Sequence, residues 1–303
     1  MTRESPEDLM CLPPPSAPYF DAARQAWVLS RYADVTAALH DTRLEPLPDG
    51  RNSVESHFRA TIRERPDWQS ELVPLAEQIA SGLPQNRPID MFKEFAEPWC
   101  ATLACRVAGN AGQSTPAFVA LAQTLPAFLA KAWLALLRHP KEFSRLRDNL
   151  DLLPMAVEEL LRYAGLARSM FRVATSDMDL IGVRVEKNQR VALELNSANR
   201  DPTQFPDPNR LDVTRRAPGH LAFGAGAHSC IAASLIRMAA AIVTSAFIGH
   251  FPNAMVEEPI QWRGGTGFRA PAALYVAVTP PPAGGPPACA CTPGLGTATL
   301  DRP

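Results

Sequence analysis

The chain predicts a mainly helical fold with a small β portion, on three observations. Apolar residues recur at helical spacing from about 54 to 108 and again from 118 to 164. Short stretches that alternate apolar and polar residues follow, from about 169 to 198. With 303 residues, 46% of them hydrophobic and 20% charged, the chain can bury a sizeable core as one large domain or two modest ones. The formal net charge is −1, and its Lys and Arg residues are scattered. That balance offers no electrostatic footprint for nucleic acid or an anionic membrane surface.

The elements follow in order. "AWVLSRY" (26–32) has the content of a short strand, and "ADVTAALHD" after it places Val35, Ala38 and Leu39 at helical spacing. "ELVPLAEQIASGL" aligns Leu72, Leu75, Ile79 and Leu83, with Gly82 near the stop. "FVALAQTLPAFLAKAWLALLRHP" reads as a longer apolar helix kinked or restarted at Pro126, which lacks an amide donor. Two short helices, "KEFSRLRDNL" and "LPMAVEELLRYAG", precede strands in "SMFRVATSD", "MDLIGVRV" and "RVALELNSA". A polar, proline-rich meander then leads to a helix from Ile231 to about Ile248. The chain finishes in an expected hairpin of "IQWRG" against "ALYVAV". Met238 to Phe251 is the most apolar stretch, but it is interrupted by Thr244, Ser245 and His250 and is shorter than a bilayer span requires, so it predicts a core helix.

Of the 30 prolines, many lie in "LPPPSAP" and in "TPPPAGGPPACACTPGLGTATLDRP". Residues 1–17 therefore read as a proline-containing leading segment and 280–303 as a flexible Pro/Gly-rich tail, flanking a domain over 18–279. The opening "MTRESPEDLMCLPPPSAPYF" lacks the apolar core of a signal peptide. Cysteines at 11, 100, 105, 230, 289 and 291 lack zinc-site spacing and disulfide-scaffold density. Both points predict a reducing, cytoplasmic setting. Nothing near Cys289 and Cys291 completes a metal ligand set.

The stretch "AFGAGAHSCIAASLIRM" (222–238) carries the chemistry. Cys230 reads three ways: a small buried hydrophobe, a nucleophile with His228 as base, or a metal ligand. Gly224 and Gly226 permit unusual backbone conformations and close approach of something large. A helix beginning at Cys230 would favour its thiolate. "GAGAHS" opens like a dinucleotide loop, but Ser229 stands where the third glycine belongs.

The order Phe223, Gly224, Gly226, His228, Cys230 fits F-x-x-G-x-[HR]-x-C and resembles the haem-binding loop of the cytochrome P450 family. Glu159-x-x-Arg162 and "NRDPTQFPDPNRLDVTR", with Asn199, Arg200, Asp201, Phe205, Pro208 and Arg215, occur in that family's order, with Leu211 replacing its second aromatic. The resemblance runs from about Pro18 to Thr279. It implies a P450-like fold, haem b with Cys230 as its thiolate ligand, and His228 and Arg172 on the propionates. Phe223 would shield the ligand loop, Gly224 and Gly226 would make room, and backbone amides would donate to the sulfur. It also implies that Arg215 joins Glu159 and Arg162 in one buried network. The implied activity is that of a monooxygenase acting on an apolar small molecule, with electrons from a separate ferredoxin-type or flavin partner.

The pattern fails in three places. Where the family carries A-G-x-[DE]-T, this chain has Ala120, Leu121, Ala122, Gln123 and Thr124. Thr124 is kept for proton delivery, but neutral Gln123 cannot relay protons as a carboxylate does. Between 109 and 118 only "NAGQSTPA" stands where roof helices normally enclose the substrate. His57, Arg59 and Arg63 are off the usual spacing for propionate contacts. The alternative expectation is a truncated, degenerate relative that binds haem weakly or not at all and does not turn over.

Overall fold

The computed structural model describes residues 16–47, 68–108, 120–264 and 269–278. In chain order, β1 (Tyr19–Asp21) and β2 (Ala26–Leu29) lead into α1 (Tyr32–His40) and β3 (Leu44–Pro46). Helix α2 (Trp68–Ser81) is followed by β4 (Ile89–Asp90), a wide helical turn (Met91–Ala96) and α3 (Glu97–Ala108). A second wide turn (Ala120–Thr124) opens α4 (Leu125–Leu137), and α5 (Pro140–Asp148) and α6 (Leu153–Ala164) follow. The strands β5 (Met170–Ala174), β6 (Met178–Leu180), β7 (Val183–Val185) and β8 (Arg190–Leu193) precede the single turn α7 (Leu195–Ala198). The long helix α8 (Ala233–His250) and β9 (Met255–Val256), β10 (Trp262–Gly264), β11 (Arg269–Pro271) and β12 (Tyr275–Ala277) complete it.

Helix α4 is apolar on every side, and every residue from Leu125 to Leu137 is buried, as a helix without a polar stripe requires. Trp133 stacks between Phe95 and Phe247 at centroid distances of 5.4 and 4.9 Å, and its indole N–H donates to Thr244 Oγ1 at 3.1 Å. That stack joins the first wide turn, α4 and α8 in one core. Pro126 sits in the first turn of α4, where a missing amide costs little. The expected restart is therefore what forms, with a wide turn before it rather than a continuous helix.

The main sheet runs β1-β2-β8-β5-β3, with β2 and β8 parallel and the other neighbours antiparallel. Its inner strands are the apolar ones: Ala26, Val28, Leu29 and Val191 to Leu193 are buried, while Tyr19 and Phe20 on the edge strand are exposed. Strands β4, β12 and β9 form a second small sheet.

Two expectations change. The closing hairpin pairs β10 with β11, Trp262 opposite Pro271, not with "ALYVAV". Strand β12 instead joins β4 and β9, which buries Val276 beside Ile89. Leu274 is pinned there, its amide donating to Asp90 Oδ1 (3.0 Å) and its carbonyl accepting from the Met91 amide (2.8 Å). Helix α8 begins at Ala233, three residues after Cys230. By length and composition alone it is apolar enough to cross a membrane, yet it is mostly buried inside the protein. It is a core helix, as its polar interruptions imply. Residues 1–15 of the expected leading segment 1–17 and all of the expected tail 280–303, with Cys11, Cys289 and Cys291, lie outside the described residues, as do His57, Arg59, Arg63 and the short span 109–118.

Candidate haem-thiolate site

The loop before α8 is closed by its own backbone. The Cys230 amide donates to the Phe223 carbonyl at 2.8 Å, the Gly224 amide to Leu221 at 3.0 Å, and the Ala233 amide to Cys230 at 3.2 Å. Its entry is fixed by Asn199, whose Oδ1 accepts from the Leu221 amide at 2.6 Å. Gly224 and Gly226 both have φ of 69°, a left-handed conformation that side chains oppose. Their surroundings differ. A side chain at 224 would meet nothing closer than 3.8 Å, whereas a Cβ at 226 would lie 2.5 Å from the Leu39 carbonyl. Gly226 thus seats the loop on the end of α1, a contact within the protein rather than room for a bound group.

Cys230 is half-buried and packs against the main core with Ile231 and Ala233. Burial pushes its thiol up, while the Ala232 amide hydrogen bond and the charge of Arg237 act in the opposite direction. Proximity to the helix start therefore does not win in the free thiol, because desolvation is larger. Among the described residues, no three His, Cys, Asp or Glu side chains gather as a metal-ligand set. A single thiolate on a rigid loop fits an iron that brings its other ligands with it, as porphyrin iron does, and not a protein-built zinc site.

Arg172 is buried on β5, donating to the Phe171 carbonyl at 3.0 Å and to Met170 Sδ at 3.7 Å. The same Met170 sulfur is the nearest side-chain atom to Gly224, so Arg172 lies one residue away from the loop. His228 is exposed in the short turn Gly226–His228. Phe223 is buried. Thr124 ends the wide turn that packs on α3 and α4. Leu121 is buried and Gln123 exposed on that turn.

The expected buried network is present. Glu159 and Arg162 are both fully buried and pair at 2.7 and 2.9 Å. Arg215 donates to Glu159 Oε1 at 3.1 Å, and Arg162 also donates to the Asn199 and Pro208 carbonyls at 2.9 and 2.8 Å. It ties α6 to the meander that carries Asn199, and so to the loop entry. A second cluster, Glu158, Arg237 and His220, has no signature in the sequence. Glu158 is held down at about 2; burial opposes this, and hydrogen bonds from His220 and Arg237 overcome it. Lys131 is likewise unannounced, a fully buried ammonium in the apolar α4, donating to the Gly165 carbonyl at 2.6 Å. Its only signal is a lone charge in an apolar run.

The family model for cytochrome P450 matches residues 138–262, which hold the Glu159 network, the meander and the Cys230 loop. A biotin biosynthesis cytochrome P450 of Bacillus subtilis is 38% identical over 217 residues, 71% of this chain and 50% of the relative. The chain belongs to the cytochrome P450 family. The nocardicin C N-oxygenase of Nocardia uniformis is 40% identical over 146 residues, 46% of this P450 and 37% of the relative. This P450 thus spans half or less of the length of these two curated relatives. Among solved structures, the tirandamycin C-bound P450 monooxygenase TamI superposes with TM-score 0.72 at 25% identity, over 84% of this P450 and 90% of TamI. The LnmA cytochrome P450 hydroxylase of Streptomyces atroolivaceus gives 0.71 at 26% identity, over 83% and 90%. The family's cofactor is haem b with a cysteine thiolate as axial ligand.

Proposed function

We propose that this chain is a haem-thiolate monooxygenase, inserting one oxygen atom of dioxygen into an apolar small molecule and reducing the other to water. Electrons would come from a separate ferredoxin-type or flavin partner in the cytoplasm. The observation that carries the reading is Cys230: one half-buried thiol on a backbone-closed loop, taking a hydrogen bond from the Ala232 amide, where no group of three or more His, Cys, Asp or Glu gathers among the described residues. When bound, thiolate-ligated haem supplies dioxygen activation, in which electron donation from sulfur favours O–O cleavage.

The chain's own residues divide the remaining work. Cys230 supplies the thiolate, and the Ala232 amide and Arg237 charge moderate it. Arg172 and His228 offer cations for the propionates, and Phe223 keeps water from the loop. Thr124 holds a proton at its hydroxyl for delivery, with Gln123 unable to act as the neighbouring acid. Buried Leu121 and exposed Gln123 favour a second reading, in which the chain binds haem without productive turnover.

The reduced CO complex of the purified chain tests the proposal. A red-shifted thiolate-type band that disappears in Cys230→Ala is expected, and its absence from the unmodified chain would sink the reading. Coupling separates the two readings: product formed in proportion to electrons consumed supports the monooxygenase, and electron consumption without product supports the degenerate relative.

A further inference from the structure

We infer that Glu158, Arg237 and His220 form a clamp that holds Phe223, and through it the ligand sulfur of Cys230. All three are positioning residues, and the inference rests on the proposed function only in taking Cys230 as the ligand. Arg237 grips Glu158 with two prongs, Nε to Oε1 at 2.6 Å and Nη2 to Oε2 at 3.1 Å. Its guanidinium carbon lies 4.5 Å from the centroid of the Phe223 ring. The ring of His220 lies against the same phenyl, with centroids 5.8 Å apart and the planes tilted by 45°. His220 Nδ1 accepts from the Ala222 amide at 3.3 Å, which leaves Nε2 to donate to Glu158 Oε2 at 3.0 Å. The cluster thus fixes the residue before Phe223 by its backbone and Phe223 by its ring.

Phe223 is also the residue whose carbonyl accepts the Cys230 amide, so a displaced ring moves the other end of the loop. Glu158 comes from α6 and Arg237 from α8, so the loop is held between the two helices that flank it. A lone half-exposed ion pair would carry little weight. Two-pronged geometry, a stacked ring and a buried imidazole make this one a network. The adjacent carboxylates of α6 serve different segments, Glu159 the meander and Glu158 the loop, since neighbouring helical positions point about 100° apart.

Hydrogen exchange and the CO spectrum of the full-length chain test this together. In Arg237→Met the stretch 222–230 should exchange about tenfold faster, the effect of losing one cation–π and ion-pair contact from a local opening equilibrium. Residues 153–164 and 206–216 should exchange as before, and the thiolate-type share of the CO complex should fall. Arg237→Lys keeps the charge opposite Glu158 but neither the two-pronged grip nor the planar group on Phe223, and should restore only part of both signals. Phe223→Ala should reproduce the defect, and the double variant should be no worse than either single one, because both break the same contact. Unchanged exchange at 222–230 in Arg237→Met, or faster exchange along the whole chain, overturns the clamp. If the unmodified chain lacks the thiolate band, the functional reading fails, and the exchange pattern still decides the clamp.

Discussion

At the scale of single residues, the buried charges make the sharpest predictions. Glu159 and Arg162 have no exposed side-chain surface, and Glu159 also accepts from Arg215 and the Asp212 amide. Glu159→Gln leaves a buried guanidinium without its counter-charge and should lower stability by about 3 kcal/mol in urea unfolding. Lys131 behaves in the opposite sense. Burial holds its folded pKa down at about 7, against 10.5 when unfolded. Between those values the unfolded chain binds the extra proton, so stability should rise with pH from about 7 towards 10.5 and stay flat below 7. Lys131→Met should abolish that slope, and an unchanged slope in the variant would show that another group causes it. The Cys230 loop is legible in the sequence because its chemistry is local, with Phe223, Gly224, Gly226 and Cys230 in eight consecutive residues. Glu158, Arg237 and His220 are not, because their partnership exists only after α6 and α8 pack around the loop. The position of Cys230 near a helix start is visible in sequence, whereas the burial that raises its free thiol is not.

At the scale of elements, the turn between β6 and β7 offers a stability test. Leu180 pairs with Val183, which leaves Ile181 and Gly182 as a two-residue loop with φ of 56° and 78°. Both values are positive, as in a type I′ turn, where Asn-Gly is preferred and a β-branched residue is strained. Ile181→Asn should therefore raise stability by about 1 kcal/mol, provided the exposed isoleucine contributes little by packing. A lower thermal midpoint would show that the side chain matters more than the backbone. This hairpin is readable from alternating residues around Gly182, and α6 is readable from its apolar stripe. The closing hairpin is not. "ALYVAV" has the character of a strand, but periodicity states only that a strand exists, and its partners come from elsewhere in the chain. Ile89 lies far upstream, and the burial of Val276 against it fixes β12 between β4 and β9. The wide turn before α4 is hidden too, since Pro126 marks an interruption but not the helical pitch that precedes it.

For the whole molecule, the Cys230 loop is the point where separate parts of the fold meet. Gly226 rests on the end of α1, Met170 of β5 lies beside Gly224, Asn199 of the meander fixes Leu221, and Arg237 of α8 reaches Glu158 of α6. A group bound at this loop should therefore stabilise all of these elements at once. Binding to the folded state alone adds about 2.7 kcal/mol when free ligand is a hundredfold above its Kd. For a chain of 303 residues that corresponds to a rise in thermal midpoint of roughly 4 °C. Haem added to the haem-free chain should produce such a rise, with α-helical and sheet signals still melting together. Cys230→Ala should lose most of the rise, because the iron loses its protein ligand while Arg172 and His228 retain only the propionates. Arg172→Leu should lose a smaller part, through weaker haem affinity, and leave the thiolate-type CO band in place. If haem raises the midpoint of Cys230→Ala as much as that of the unmodified chain, the stabilisation comes from non-specific haem binding, and the assignment of Cys230 as the ligand is wrong.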